Sequence, residues 1–179
     1  MSSLTILGDT SGSVVLQAPA VSGSTTLTLP AATGTVMVSG NIPAFSAYIG
    51  SVPTITTSTW TKVQFNTESF DTANCFDSTT NYRFTPNVAG YYQISSLVRV
   101  DSGSSWSACA VYKNGSFYRY GLNANATPND TFVTLSTLMY LNGSTDYIEM
   151  YVYQSSGANR TLSTGISASE FSAFLARTA

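Results

Sequence analysis

Histidine is absent from the 179 residues. That removes the usual general base, every Ser-His-Asp or Cys-His arrangement, and most zinc and transition-metal sites. Charge is scarce as well: Asp, Glu, Lys and Arg make up 9% of the chain, against roughly 25% in an ordinary soluble domain. The seven Lys and Arg stand singly and the formal net charge is −2. No nucleic-acid or anionic-membrane partner held by charge is therefore expected. No apolar run approaches the roughly 20 residues a spanning helix needs, so membrane insertion is not expected either. The first residues, Met1 to Gly8, have neither a basic segment nor a sustained apolar one, and no signal peptide is expected from them. Cysteine is limited to Cys75 and Cys109, which form no CxxC. They read as buried free thiols, with a structural pair as the alternative.

What fills the space is 27 serines, 25 threonines and 11 tyrosines, with aromatics at 12%. This mixture disfavours helix and suits strands. Five Asn-x-Ser/Thr triplets, at Asn114, Asn125, Asn129, Asn142 and Asn159, are near chance for so much Ser and Thr, and are discounted as glycosylation sites.

The first forty residues stand apart, with one charge, Asp9, and no aromatic. Ser11–Ala20 aligns with Ser22–Ala31 at an offset of eleven, and six of ten positions are identical. A fading third copy carries Gly34 and Val36-Met37-Val38. Each unit reads as a Gly-Ser turn, a short strand and a Pro-Ala break. Residues 1–42 thus form a repeat-containing β-stem, or else a flexible linker. A single thin strand cannot bury Leu16, Leu27, Leu29 and Val36, whereas three copies side by side could.

From residue 43 to 179 the chain becomes aromatic-rich, with strand-length runs at Ala44–Ile49, Thr61–Phe65, Tyr91–Val100, Ser107–Tyr112, Phe117–Gly121, Phe132–Leu141, Tyr147–Gln154 and Phe171–Ala176. Asn114-Gly115 and Asn142-Gly143 each predict a tight hairpin, because Asn-Gly tolerates the positive φ of a type I′ turn. Alternation puts Tyr92, Ile94, Val98 and Val100 on one side, and Ile148, Met150 and Val152 opposite Tyr147, Tyr151 and Tyr153. The three tyrosines make an amphipathic face suited to a subunit contact. The expected fold is an all-β antiparallel head.

The stretch Phe84-Thr85-Pro86-Asn87-Val88-Ala89-Gly90-Tyr91-Tyr92 resembles the signature of the C1q/TNF-like jelly-roll family, in which an aromatic precedes a Gly-x-Tyr that opens a core strand. Phe65, Asp71 and Phe76 follow the family spacing upstream, and Phe171-Ser172-Ala173-Phe174-Leu175 is similar to its last strand. One extra residue between Phe76 and Phe84, and Ile94 in place of Phe, depart from the pattern. The Gly-Ser-x-x-Leu-x-x-Pro-Ala repeat resembles segments of bacteriophage tail-fibre and virion proteins, especially marine ones. The resemblance implies an all-β antiparallel jelly-roll sandwich, assembled as a homotrimer with both termini at its base. Gly90 and Pro86-Asn87 are fold determinants by this reading, through close backbone approach or special φ at the glycine and a turn at the pair.

No Gly-rich phosphate loop, Gly-x-Ser-x-Gly elbow or metal-ligand cluster occurs. Asp146 and Glu149 would point to opposite faces of a strand, and Glu68, Asp71 and Asp77 read as loop and turn chemistry. The chain is therefore expected not to be an enzyme and to carry no cofactor. Calcium, which some C1q-like heads bind, is the one ion left open, without a dense Asp-x-Asp run to hold it.

Successive connections in an antiparallel domain alternate between its ends. The two Asn-Gly turns then share one end, and the long loops Asp101–Trp106, Leu122–Asp130 and Ser155–Ala168 share the other. Long loops carry function. They offer Trp106 for stacking on a sugar face and Asn123, Asn125, Asn129, Asp130, Asn159 and Arg160 for hydrogen bonding. The expected protein is a phage virion fibre or tip component whose trimeric head binds a host-surface glycan or outer-membrane protein and whose N-terminus joins other virion proteins. A purely structural trimerisation or capping module and a bacterial C1q-like adhesin are the alternatives.

Overall fold

The computed structural model describes residues 3–17, 19–21, 23, 24, 26, 42–101, 103, 106–125 and 130–179, and the chain divides into two compact units, Met1–Val36 and Met37–Ala179. In the first unit, β1 (Ser3–Leu7) and β2 (Ser13–Gln17) form an antiparallel hairpin. Its turn is closed by Gly8 N–H donating to the Gly12 carbonyl at 3.0 Å. β2 is the strand expected in the first repeat, and β1 pairs with it from outside the repeat. Leu4 lies opposite Leu16 and Ile6 opposite Val14, so four exposed aliphatic side chains share one face. The later repeat copies lie largely outside the described residues.

Among its described residues the second unit has no helix, and it is built on two main sheets. One carries, in order, β12 (Thr131–Leu141), β9 (Gly90–Val100), β15 (Glu170–Thr178), β3 (Ala44–Tyr48) and β6 (Thr67–Asp71), all antiparallel. The other carries β11 (Ser116–Asn125), β10 (Trp106–Lys113), β13 (Ile148–Gln154), β8 (Arg83–Phe84) and β7 (Phe76–Asp77), with β5 (Thr61–Lys62) also paired to β13. A small pair joins β4 (Thr54–Ile55) to β14 (Arg160–Thr161).

Period-two patterning drives this packing. Along β12 every second residue is buried: Val133, Leu135, Thr137, Met139 and Leu141 face in, while Phe132, Leu138 and Tyr140 face solvent. In β13, Ile148, Met150 and Val152 are fully buried as their alternation implied. The aromatic residues of the spaced signature meet in the core. Phe45 stacks on Phe76 at 4.5 Å and on Phe84 at 4.7 Å, and Phe171 meets Phe45 edge-on at 5.0 Å. Phe65 packs against Phe171, and Tyr92 against Phe84. Burial of these six rings stabilises by about 1.5–3 kcal/mol for each Phe-sized side chain.

Gly90 resolves its two sequence readings in favour of close approach. A Cβ there would lie 2.4 Å from the Arg177 carbonyl oxygen and 2.6 Å from Leu175, where β15 bulges against β9. Asn114-Gly115 is the tight turn expected between β10 and β11, with φ of 53° and 75°. Asn142-Gly143 is not a hairpin. β12 pairs with β9 and β13 with β10, so this connection crosses between sheets, and only Gly143 has positive φ. Asn142 instead accepts the N–H groups of Ser144, Thr145 and Asp146 through Oδ1, an Asx-type turn that a local dipeptide signal resembles. The segment before the C-terminus is strand, as read. Cys75 and Cys109 are both free and buried.

Candidate functional site

Chain direction separates the head into a terminal end and a loop end. At the terminal end, Leu175 N–H donates to the Pro43 carbonyl at 3.1 Å and Ala179 N–H to the Ala89 carbonyl at 3.2 Å. Both Asn-Gly connections lie here, joined through Asp146: its carboxylate accepts Asn114 Nδ2 at 2.7 Å and Asn142 N–H at 3.1 Å, and pairs with Lys113 at 2.8 Å. Burial alone would raise the Asp146 pKa, but the hydrogen bonds from Asn114, Lys113 and Asn142 outweigh it and hold the carboxyl below its ordinary range.

The opposite end is made of the connections between β9 and β10, β11 and β12, and β13 and β15, joined by residues 49–60. These loops are tied to one another. Arg160 donates through Nη2 to the Gly103 carbonyl at 2.9 Å and through Nε to Ser156 Oγ at 3.1 Å. Asp101 N–H donates to the Thr161 carbonyl at 3.0 Å, and its carboxylate accepts the hydroxyls of Thr161 and Ser163. Ser155 N–H reaches the Trp106 carbonyl and Gly157 N–H reaches Thr57 Oγ1, each at 3.0 Å. Arg99 pairs with Asp130, its Nε 2.8 Å from Oδ2. The carboxylates of Asp101 and Asp130 stand beside the guanidinium groups of Arg160 and Arg99 at this end.

Against this geometry the expected contact residues divide. Arg160 and Asp130 are brought to the loop end as cross-braces. Asn159 sits beside Arg160 and is exposed. Trp106 is not in a loop: it is the first residue of β10, half-buried, and meets Tyr153 edge-on at 5.2 Å. Inter-strand pairing wins over the Ser-Gly composition before it. β11 likewise runs on to Asn125, with Asn123 in register with Ala108 and Asn125 with Trp106, which shortens the loop that follows. Asn129 lies outside the described residues.

Tyr147, Tyr151 and Tyr153 face outward from the second sheet as expected, each half-buried by partners within the chain. Tyr151 stacks on Tyr112 at 4.0 Å, and Tyr153 lies between Trp60 and Trp106. Tyr147 carries the Arg83 guanidinium 4.3 Å above its ring. Burial pushes the Tyr151 phenol up, and the nearby Glu149 carboxylate adds to it. Sequence reasoning missed Trp60, which lies just before the Thr61–Phe65 run and was given no role. It also gave no role to the outer face of the first sheet, where Tyr91, Phe132, Leu138, Tyr140 and Phe174 are all exposed.

The carboxylate groupings are committed to structure. Asp71 accepts the N–H groups of Ala73 and Phe76, and Asp77 those of Thr79, Thr80 and Asn81, which holds the Asp77 carboxyl well below its usual range. Glu68 accepts Ser78 Oγ at 2.6 Å, and Glu149 pairs with Lys62 at 2.8 Å. Among the described residues no group of three His, Cys, Asp or Glu side chains converges to hold a metal ion.

No protein-family model and no curated protein sequence matches the chain. Solved structures do match its head. The Eiger TNF of S. frugiperda superposes with a TM-score of 0.62 at 8% identity, covering 78% of this chain and 95% of that one. The globular domain of zebrafish complement 1qA gives 0.55 at 16% identity, covering 76% and 99%. The phage PRD1 vertex protein P5 gives 0.56 at 16% identity, covering 75% and 97%. At these identities the likeness is one of fold: the head is an all-β antiparallel jelly roll of the TNF/C1q-like kind.

Proposed function

We propose that this chain is a virion surface component, carried on a fibre or vertex, whose jelly-roll head assembles as a homotrimer and presents its loop end to a host-surface receptor. The observation that carries the reading is the bracing of the β13–β15 connection to Asp101 and Gly103 at one end, while Leu175 of the last strand bonds to Pro43 at the other. Such a head projects braced loops away from whatever holds its N-terminus. The fold shared with the PRD1 vertex protein supports a virion location, and the fold itself serves structural and receptor-binding roles alike. The receptor is a glycan or outer-membrane protein. Trp106, Asn123, Asn125, Asn129, Asp130, Asn159 and Arg160 are the proposed contact set, with Asn159 exposed and Arg160 and Asp130 as braces.

Self-association is favoured by the outer face of β12, β9 and β15. Tyr140 lies opposite Tyr91, and Leu138 is separated from Phe174 only by Gln93. These apolar side chains are 42–53% exposed on one sheet face, and grouped exposed apolar side chains mark interaction surfaces. The face of Tyr147, Tyr151 and Tyr153 is the second candidate for that contact, and its rings already have partners inside the chain. The first 42 residues join the head to other virion proteins.

Gold-labelled antibody against the head, imaged on intact particles, should decorate fibre tips or vertices. Label confined to a bacterial envelope would instead identify an adhesin. Asn159→Trp should lower adsorption to host cells while leaving the melting temperature unchanged. Full adsorption by that variant and by loop-end variants at Asn125 and Asn129 would favour the structural capping role.

A further inference from the structure

Both tryptophans of the chain stand on the solvent side of the second sheet. Trp60, just before β5, reaches across to Tyr153 on β13 at 5.5 Å and to Tyr120 on β11 at 5.6 Å between ring centroids. Trp106 closes on the far side of Tyr153 at 5.2 Å. From Tyr120 the contacts continue to Phe117 at 4.4 Å, then to Tyr112 and Tyr151. Seven rings therefore make one unbroken file. They are not core: the opposite side of the same strands carries Cys109, Val111, Met150 and Val152 into the sandwich. Under the file lie the methyl groups of Ala108 and Ala110, in register with Tyr153 and Tyr151 and fully covered. Nothing in the fold requires so many aromatics outside the core, and Phe117 and Tyr120 remain 46% and 58% exposed.

The chemistry of the file is narrow. The charged side chains of β5 and β13, Lys62 and Glu149, are closed on each other at 2.8 Å. Arg119 of β11 is in register with Val111, on the other side of the sheet. Arg83 of β8, a further cation on this outer face, lies 4.3 Å over the Tyr147 ring, outside the file, so among the described residues no cation is shown over the seven rings to hold a phosphate or a sulfate. Neighbouring rings along the central part are tilted by 36° to 68°, which leaves separate strips of ring surface edged by phenolic hydroxyls. A sugar ring has one apolar C–H face and a rim of hydroxyls, and its size matches the step between adjacent rings here.

We infer that this aromatic file is a binding platform for neutral saccharides, one hexose lying over Tyr120 and Trp60 and the next toward Tyr153 and Trp106. The inference rests on the receptor-binding reading only for the source of the sugar, a host surface. Binding itself is read with soluble sugars and no cells, so the two can fail separately.

The protein supplies its own probe. Trp60 and Trp106 are the sole source of tryptophan emission, and both belong to the file. The full chain is titrated with neutral hexasaccharides of glucose, mannose, galactose and N-acetylglucosamine, and with heparin as a polyanion. The expected result is a saturable change in emission with at least one neutral sugar in the millimolar range or below, and none with heparin. Tyr120→Ala, on an edge strand and more than half exposed, should bind that sugar about tenfold more weakly, equivalent to about 1.4 kcal/mol, with unchanged melting. Phe117→Ala is the second variant should Tyr120→Ala lose its fold. No saturable change with any neutral sugar overturns the inference. So does a change unaltered in the folded variants, or a response to heparin stronger than to every neutral sugar. Sugar binding with no host-cell adsorption would sink the receptor-binding reading and leave the platform standing.

Discussion

Leu138→Asp tests the proposed subunit contact at its centre. Leu138 projects from β12 toward solvent and is 53% exposed, with Gln93 opposite it and Phe174 beyond. Fully burying a leucine stabilises by about 1.5–3 kcal/mol, so the half still exposed here contributes about 1 kcal/mol per copy on assembly. Aspartate forfeits that and adds a carboxylate with no cation in register, whose desolvation costs several kcal/mol. Over three equivalent copies the penalty reaches the order of 10 kcal/mol per trimer, enough to dissociate it at micromolar concentration. The isolated head should lose only about 1 kcal/mol, because the side chain is outside the core. Sedimentation equilibrium should give three times 19.0 kDa for the unaltered chain and a single chain mass for the variant. An intact Leu138→Asp trimer would refute the face assignment. Dissociation by Tyr151→Asp alone would move the contact to the tyrosine face.

Three further outcomes follow from the head's interior. Gly90→Ala should destabilise by several kcal/mol in thermal or urea unfolding, since its Cβ would lie 2.4 Å from a backbone oxygen that a β-bulge already fixes; a loss below about 0.5 kcal/mol would show that the strands part freely. Asp146 has a folded pKa held below the unfolded value of about 3.9. Its stabilisation is therefore complete above that value and is lost as pH falls from about 4 toward the folded pKa. Asp146→Asn should flatten the acid limb of the stability profile, and an unchanged limb would contradict the network around Asn114 and Lys113. Burial pushes the Cys109 thiol up to about 12 and raises Cys75 as well, so a thiol reagent at pH 8 should find no reactive cysteine in the native protein and two after unfolding; rapid native reaction would contradict their burial.

The long amphipathic strands were legible because one face of each is core. Alternation marked the faces of β9 and β13, a strand-length aromatic run marked β12, and the turn chemistry of Asn114-Gly115 marked the hairpin between β10 and β11. The same dipeptide misled at Asn142-Gly143, because whether two strands pair or part is decided by distant partners, here β9 and β10. Two-residue strands such as β4, β7, β8 and β14 are too short to show a period at all. At the candidate site, loop parity correctly gathered residues 101, 130 and 160, since it depends only on strand order. It put Trp106 at the right end but in the loop, whereas pairing with Asn125 of β11 makes it the first residue of β10, and it had no means to see Trp60, which reaches the other aromatics only once β5 has docked against β13.

The central claim is that the head carries a virion's attachment to its host. It is tested most directly by adsorption competition, in which host cells are saturated with purified head before the particles are added. Attachment should fall progressively with head concentration, and head carrying Asn159→Trp should compete poorly. Attachment unchanged at saturating head would contradict a receptor-binding role.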